Sequence, residues 1–181
     1  MSDSQPDSTH IHQKDELRYL FVKVGHDHFG IPIDSVKEVI ELVETTMVPM
    51  CYDVIRGVIN VRGSVIPVLD LQRRLGLKLT TPYDKYSCIV LYDFYDHSLE
   101  ESMTLGMLVN SVVSIEFIDL SNLESSPSFG SNIPRHYEWK MAKINNKLTT
   151  LLDIAKVLNV NEINSSLKHE QEQFFIDYCQ R

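Results

Sequence analysis

Phe29-Gly-Ile-Pro-Ile-Asp-Ser-Val36 returns later in the chain as Leu105-Gly-Met-Leu-Val-Asn-Ser-Val112, with the glycine and the Asx-Ser pair in the same places. A second match follows in the same order: Val65-Ile-Pro-Val-Leu-Asp-Leu71 corresponds to Leu148-Thr-Thr-Leu-Leu-Asp-Ile154. The dipeptides ahead of those segments correspond too, Arg62-Gly63 standing opposite Asn145-Asn146. Both pairs suit the left-handed backbone of a two-residue hairpin turn. Ordered self-similarity of this kind marks a duplicated structural unit and is settled before any motif is weighed.

Working outward, the apolar segments are short and rich in β-branched and aromatic residues. Arg18–Val24, Phe29–Ile33, Val54–Val61 and Ser64–Leu69 read as strands, with Gly25–His28 as the turn joining the first two. Pro32 has no N–H for a ladder, so its strand lies at an edge or ends there. Asp34-Ser35 reads as the cap of a helical turn over Val36–Ile40. Asp70 and its repeat equivalent Asp153 read as caps of the turns Leu71–Leu75 and Ala155–Leu158. Helices of 10–15 residues between strands, which a doubly wound fold needs, are missing. The fold class is therefore mainly β, two five-stranded units of a small-barrel kind, in which closure limits exposed strand edges. Residues 17–82 are expected to form the first barrel and 83–160 the second.

Residues 1–16 are poor in apolar side chains and read as a disordered tail. Residues 161–181 read as a C-terminal helical tail, with Leu167, Phe174, Phe175 and Tyr178 forming an apolar stripe that docks on a barrel. Two stretches interrupt the repeat, the loop Asp96–Ser102 and the Ser-, Asn- and Pro-rich stretch Ser121–Tyr137, read as a mobile surface loop.

The 181 residues carry a formal net charge of −8, with 43% hydrophobic and 23% charged residues. That is ordinary globular composition. An acidic chain whose densest basic cluster is Arg73-Arg74 is not expected to bind nucleic acid. No apolar run approaches the roughly 20 residues needed to span a bilayer, and Met1–Glu16 has no apolar signal-peptide core, so a cytoplasmic protein without direct membrane insertion is expected. Cys51, Cys88 and Cys179 are odd in number and widely spaced, which argues for reduced thiols rather than a disulfide framework or a zinc site.

The residues that carry chemistry are sparse. GxGxxG, GxxxxGK and GxSxG are all absent. His10 and His12 lie in the N-terminal tail. His26 and His28 point the same way if extended, but two imidazoles supply only two of the four ligands a structural zinc takes. Asp70 and Asp153 invite a paired-carboxylate reading, yet capping accounts for both; Asp53, Asp93 and Asp119 show no partner spacing. No catalytic residue, metal site or cofactor is expected.

Gly57-Val-Ile-Asn-Val-Arg-Gly-Ser-Val-Ile-Pro-Val-Leu-Asp-Leu71 resembles the signature of the bacterial CheW-like coupling domain, a G-x-x-N-x-R-G hairpin running into a proline-bearing strand and a Leu-Asp turn. Phe29–Val39 resembles that family's second strand and the turn after it, Gly106–Val113 its mid-domain segment, and Leu151–Ile154 its closing strand. The resemblance spans about Leu17 to Leu158. It implies two Src-homology-3-like barrels side by side and no enzymatic activity. It also implies a chemotaxis adaptor, a scaffold in signal transduction that joins the cytoplasmic tips of methyl-accepting chemoreceptors to the regulatory domain of a CheA-type histidine kinase, recruited to membrane-associated receptor arrays. By motif match, Glu38 and Arg62 fall near the receptor groove, Ile33 and Val36 give apolar contact, and Gly57 and Gly63 shape the receptor and kinase surfaces.

The residue types alone leave alternatives. Ile33 and Val36 also read as core, Gly57 as a bulge, and Arg62 as a solvated turn residue. The same residues would suit an adaptor of another chemosensory pathway, such as pilus-driven motility. A small β-barrel ligand-binding protein would have to use His26, His28 and nearby carboxylates.

Overall fold

The computed structural model of the chain describes residues 16–47, 54–97, 100–127, 131–159 and 161–163. The expectations for residues 1–15, for His10, His12, Cys51, Asp53 and Cys179, and for the tail beyond residue 163 lie outside the described residues.

Eleven strands form among them: β1 (Glu16–Val24), β2 (Asp27–Pro32), β3 (Val36–Glu41), β4 (Ile55–Val61), β5 (Ser64–Asp70), β6 (Cys88–Asp96), β7 (Glu101–Val109), β8 (Ser111–Asp119), β9 (Leu123–Glu124), β10 (Glu138–Ile144) and β11 (Lys147–Leu152). Two single-turn helices accompany them, α1 (Leu71–Arg74) and α2 (Ile154–Val157). The strands make two sheets, ordered β8-β1-β2-β11-β10-β9 and β3-β6-β7-β5-β4. The mainly β, two-sheet architecture matches the fold class read from the sequence.

Neither sheet coincides with a half of the chain, so the boundaries 17–82 and 83–160 need correcting. β1 and β2 belong to the six-stranded sheet with β8–β11, and β6 and β7 belong to the five-stranded sheet with β3–β5. The duplicated segments are where the halves interlock. β2 runs parallel to β11, with Leu151 beside Gly30, and β7 runs parallel to β5, with Val68 beside Gly106. Each half thus lends its leading hairpin to the sheet of the other.

The repeated Asx-Ser pair marks the point where the chain changes sheet. After β2 a 3₁₀ turn, Ile33–Ser35, delivers it to β3; after β7, Asn110 delivers it to β8. The helical turn expected over Val36–Ile40 is absent, because that segment is β3, paired antiparallel with β6 from Val36 opposite Tyr92 to Glu41 opposite Cys88. Burial alternates along it with period two, Val36, Glu38 and Ile40 half-buried and Lys37, Val39 and Glu41 exposed, and pairing prevails over a local cap.

Alternation also explains the nearly unbroken apolar runs. In β1, Tyr19 and Phe21 pack with Ile118, Ala142 and Leu151, whereas Leu20 and Val22 face a larger core shared with the other sheet. In β6, Ile89 and Leu91 pack with Ile59, Ile66 and Leu108, whereas Val90 and Tyr92 face the shared core. Strands buried on both faces cannot show a polar alternation. Three cores result, one per sheet and the largest between them.

The stretch Ser121–Tyr137, expected to be a mobile loop, is anchored at both ends. Leu123–Glu124 pairs with β10, and Ile133 and Tyr137 are buried in the shared core. Arg74 fastens the two halves. Its Nε donates to the Val157 carbonyl at 2.7 Å, its Nη2 donates to the Lys156 carbonyl and to Glu162, both at 3.2 Å, and its guanidinium lies over the Tyr137 ring.

Candidate functional site

Val61 and Ser64 close the β4–β5 hairpin, leaving Arg62 and Gly63 as a two-residue turn with φ of 51° and 88°. Both residues are left-handed, the geometry of the tight turn that continues strand twist. Asn60 Oδ1 accepts from Gly63 N at 2.9 Å and holds the turn from below. The equivalent turn in the second half, Asn145 and Asn146, has φ of 48° and 62°. The expectation that both dipeptides adopt left-handed turns therefore holds, and it extends to Arg62 itself.

Arg62 projects from this tip with 80% of its side chain exposed and reaches Glu38 Oε2 at 3.1 Å. Glu38 lies in β3, whose other neighbour in the ladder is β6 alone. The pair therefore joins the two ends of the five-stranded sheet. Nearby, Thr46 and Val58 exchange backbone hydrogen bonds of 2.9 Å, bringing the chain that leaves β3 onto the free edge of β4.

Gly57 makes that approach possible. It has φ of 144°, sits at a register shift in the β4–β5 ladder, and a β-carbon on it would collide with the Thr46 carbonyl oxygen. The bulge reading of Gly57 is thus met, with a steric reason added. Gly63 meets nothing within 4 Å, so its φ, not crowding, explains the glycine there.

Ile33 and Val36 sit apart in role from the charged pair. Both are half-buried and pack against the core between the sheets, consistent with the core reading and leaving part of each accessible. Lys37 turns outward to Asp93 at 3.6 Å.

One surface feature escaped the sequence reading. Val113, Ile115 and Phe117 lie two residues apart along β8, an edge strand, with exposures of 52%, 54% and 65%. Phe117 stands opposite Arg18 in the ladder, and Arg18 Nη2 reaches Asp34 Oδ1 in the Ile33–Ser35 turn at 2.9 Å. The apolar stripe and the turn carrying Ile33 therefore flank the same stretch of β1. The period-2 signal was present in Val113-Ser-Ile-Glu-Phe117, but a strand of that pattern is normally assigned its apolar side inward.

Asp70 caps α1 by accepting from Arg73 N at 3.3 Å and also accepts from the Tyr83 hydroxyl at 2.6 Å, with Arg56 and Arg73 at 3.9 and 3.7 Å. Burial and the Asp70 hydrogen bond push the Tyr83 phenol well above its usual range. Asp153 caps α2 through Lys156 N at 3.3 Å. The capping reading of both aspartates holds. His26 Nε2 lies 3.1 Å from Thr81 Oγ1, and Asp27 accepts from Asn132 at 3.3 Å beside a small polar pocket of about 290 Å3. Among the described residues no three His, Cys, Asp or Glu converge as metal ligands. Cys88 is buried and free, its thiol pushed up by burial. No helix among the described residues is long and apolar enough to cross a membrane.

The family model described as the CheW-like domain matches residues 18–162. A chemotaxis protein CheW of Rhizobium meliloti is 26% identical over 140 residues, covering 77% of this chain and 86% of that protein. The chemotaxis protein CheW of Thermotoga maritima is 26% identical over 148 residues, covering 79% and 88%. Among solved structures, the scaffolding protein TtCheW from Thermoanaerobacter tengcongensis superposes with a TM-score of 0.69 at 26% identity, covering 80% of this chain and 94% of that one.

Proposed function

The chain belongs to the CheW-like domain family, and on that premise we propose that it is a non-enzymatic adaptor coupling chemoreceptor cytoplasmic tips to the regulatory domain of a CheA-type histidine kinase. The observation that carries this reading is the extent of the family match, residues 18–162, which takes in both sheets and the signature hairpin.

The geometry supports a protein-binding rather than a substrate-processing surface. Arg62 is held at a rigid two-residue tip, clear of the core and beside Glu38, where a guanidinium can exchange one carboxylate partner for another on a bound protein. The stripe Val113, Ile115 and Phe117 exposes three large apolar side chains along one edge strand, a feature of the kind that marks an interaction site. In this reading the receptor tip meets Ile33, Val36, Glu38 and Arg62, while Gly57 and Gly63 act indirectly by holding the hairpin in shape. The protein itself works in the cytoplasm and is drawn to receptor arrays through its partners.

The test is binding of the purified chain to receptor-tip peptides and, separately, to the kinase regulatory domain, by calorimetry. Saturable one-to-one binding to both is expected. Absence of binding to either partner overturns the coupling role.

A further inference from the structure

β6 is longer than the strand beside it. The β3–β6 ladder ends where Val36 stands opposite Tyr92, whereas β6 runs on to Asp96, paired with β7 on its other side throughout. The chain ahead of β3 turns away through Ile33–Ser35 into the other sheet. Among the described residues, therefore, no strand pairs with Asp93–Asp96 on the β3 side. At roughly 3.3 Å per residue, that leaves about 13 Å of ladder edge open.

The open edge faces a groove of about 850 Å3 between the two sheets, lined by Asp93, Phe94, Tyr95 and Asp96. The other sheet contributes Tyr19 and Trp139, whose rings stack with centroids 6.4 Å apart. The size falls within the roughly 300–1,000 Å3 of clefts that enclose a ligand. Ile33, Val36, Glu38 and Arg62 are not among the lining residues.

The charge of this groove has one sign. Asp93, Asp96 and Asp153 line it, and no described lining residue is Lys or Arg. Lys37 reaches Asp93 at 3.6 Å and Lys156 reaches Asp153 at 3.1 Å from outside the lining, and both lysine side chains are more than half exposed. A second copy of the chain fits this edge poorly. Antiparallel self-pairing centred on Phe94 and Tyr95 would set Asp93 opposite the Asp96 of the second copy, and like charges directly opposite are destabilising.

We propose that the open edge of β6 binds an extended, basic segment of a partner protein. The segment adds as a strand along Asp93–Asp96, with lysine or arginine side chains directed to the three aspartates of the groove. Main-chain hydrogen bonds along the edge supply affinity, and the charge of the groove supplies selectivity. The ring faces of Tyr19 and Trp139 suit cationic heads. This inference does not rest on the coupling role.

The probe is an octapeptide of alternating lysine and valine, blocked at both ends and titrated into the full chain. Trp139, the only tryptophan and 42% exposed, reads the groove, and amide exchange over Asp93–Asp96 reads the edge. Saturable one-to-one binding is expected to shift Trp139 emission and to slow the edge amides that do not bond β7. A glutamate–valine peptide of the same length is expected to bind at least about tenfold more weakly. Two further peptides keep every charge but are N-methylated, one at each valine and the other at each lysine. One of the two is expected to lose about tenfold in affinity, the equivalent of one or two ladder bonds. Absence of saturable binding overturns the proposal, as does equal affinity for the lysine and glutamate peptides or for all the N-methylated forms. Edge amides already protected in the free chain also overturn it, because they assign the edge to the chain itself or to a second copy.

Discussion

Arg62 Nη2 donates to Glu38 Oε2 at 3.1 Å, across 24 residues of sequence, from a hairpin tip to a strand at the other end of the same sheet. Both residues belong to the receptor-binding surface proposed above, and the fold places them side by side. An exposed pair of this kind contributes little to stability, so its charge is available for recognition.

Arg62→Glu tests that separation. With Arg62 80% exposed, loss of the pair is expected to cost under about 1 kcal/mol of stability. Placing a second carboxylate beside Glu38 is expected to weaken receptor-tip binding at least about tenfold, or 1.4 kcal/mol. Urea melts and calorimetry on the same preparation read the two effects. An unchanged affinity removes Arg62 from the binding surface.

Gly57→Ala and Gly63→Ala separate crowding from backbone conformation. At Gly57 a β-carbon meets the Thr46 carbonyl oxygen in addition to an unfavourable φ. At Gly63 only the φ of 88° is unfavourable. Left-handed strain alone costs about 1–3 kcal/mol, so Gly63→Ala is expected within that range and Gly57→Ala beyond it, with the Thr46–Val58 amides losing exchange protection first. Equal denaturation midpoints for the two variants would contradict the steric account.

Arg74→Leu removes the clasp between the halves. The Val157 carbonyl loses its Arg74 donor, the Lys156 carbonyl and the Glu162 carboxylate each lose one donor while keeping Asn159 N and the Tyr137 hydroxyl respectively, and the Tyr137 ring loses its cation. A loss on the order of 3 kcal/mol is expected, discounted from a fully buried pair because Glu162 is partly exposed. Differential scanning calorimetry checks it; a melting temperature equal to that of the unaltered chain refutes the clasp.

Alkaline pH should unfold the protein early. Burial pushes the Tyr19 phenol from 10.0 up to about 12, and burial likewise raises Tyr83, Tyr92 and Tyr137. An acid whose folded pKa is raised stabilises the fold below its unfolded pKa, and that stability is lost as pH climbs through the folded value. Stability is therefore expected to hold to about pH 10 and to fall steeply between 10 and 12. Ultraviolet titration of the phenols beside circular dichroism checks this; phenols that ionise fully before any loss of structure would contradict it.

The hairpin Val61-Arg-Gly-Ser64 and the caps Asp70 and Asp153 were legible because they are local: a left-handed φ or a free helical N–H demands particular residues within three or four positions. The Asx-Ser pairs were misread for the complementary reason. A cap and a change of sheet ask for the same short polar residue, and only the partner strand tells them apart. Phe117 was missed because an exposed apolar edge strand and a half-buried one have the same alternation.

Duplication, strand content and the left-handed turns follow from the order of the residues alone, since each depends on contacts within a few positions along the chain. The interlocking of the halves does not. Gly30 belongs beside Leu151 and Gly106 beside Val68, and a β-carbon on Gly106 would come within 2.7 Å of Ile89. Two copies of one unit could each fold on itself or exchange hairpins with nearly the same local pattern. Packing of the core between the sheets decides between those outcomes, and that packing exists only when the whole chain has come together.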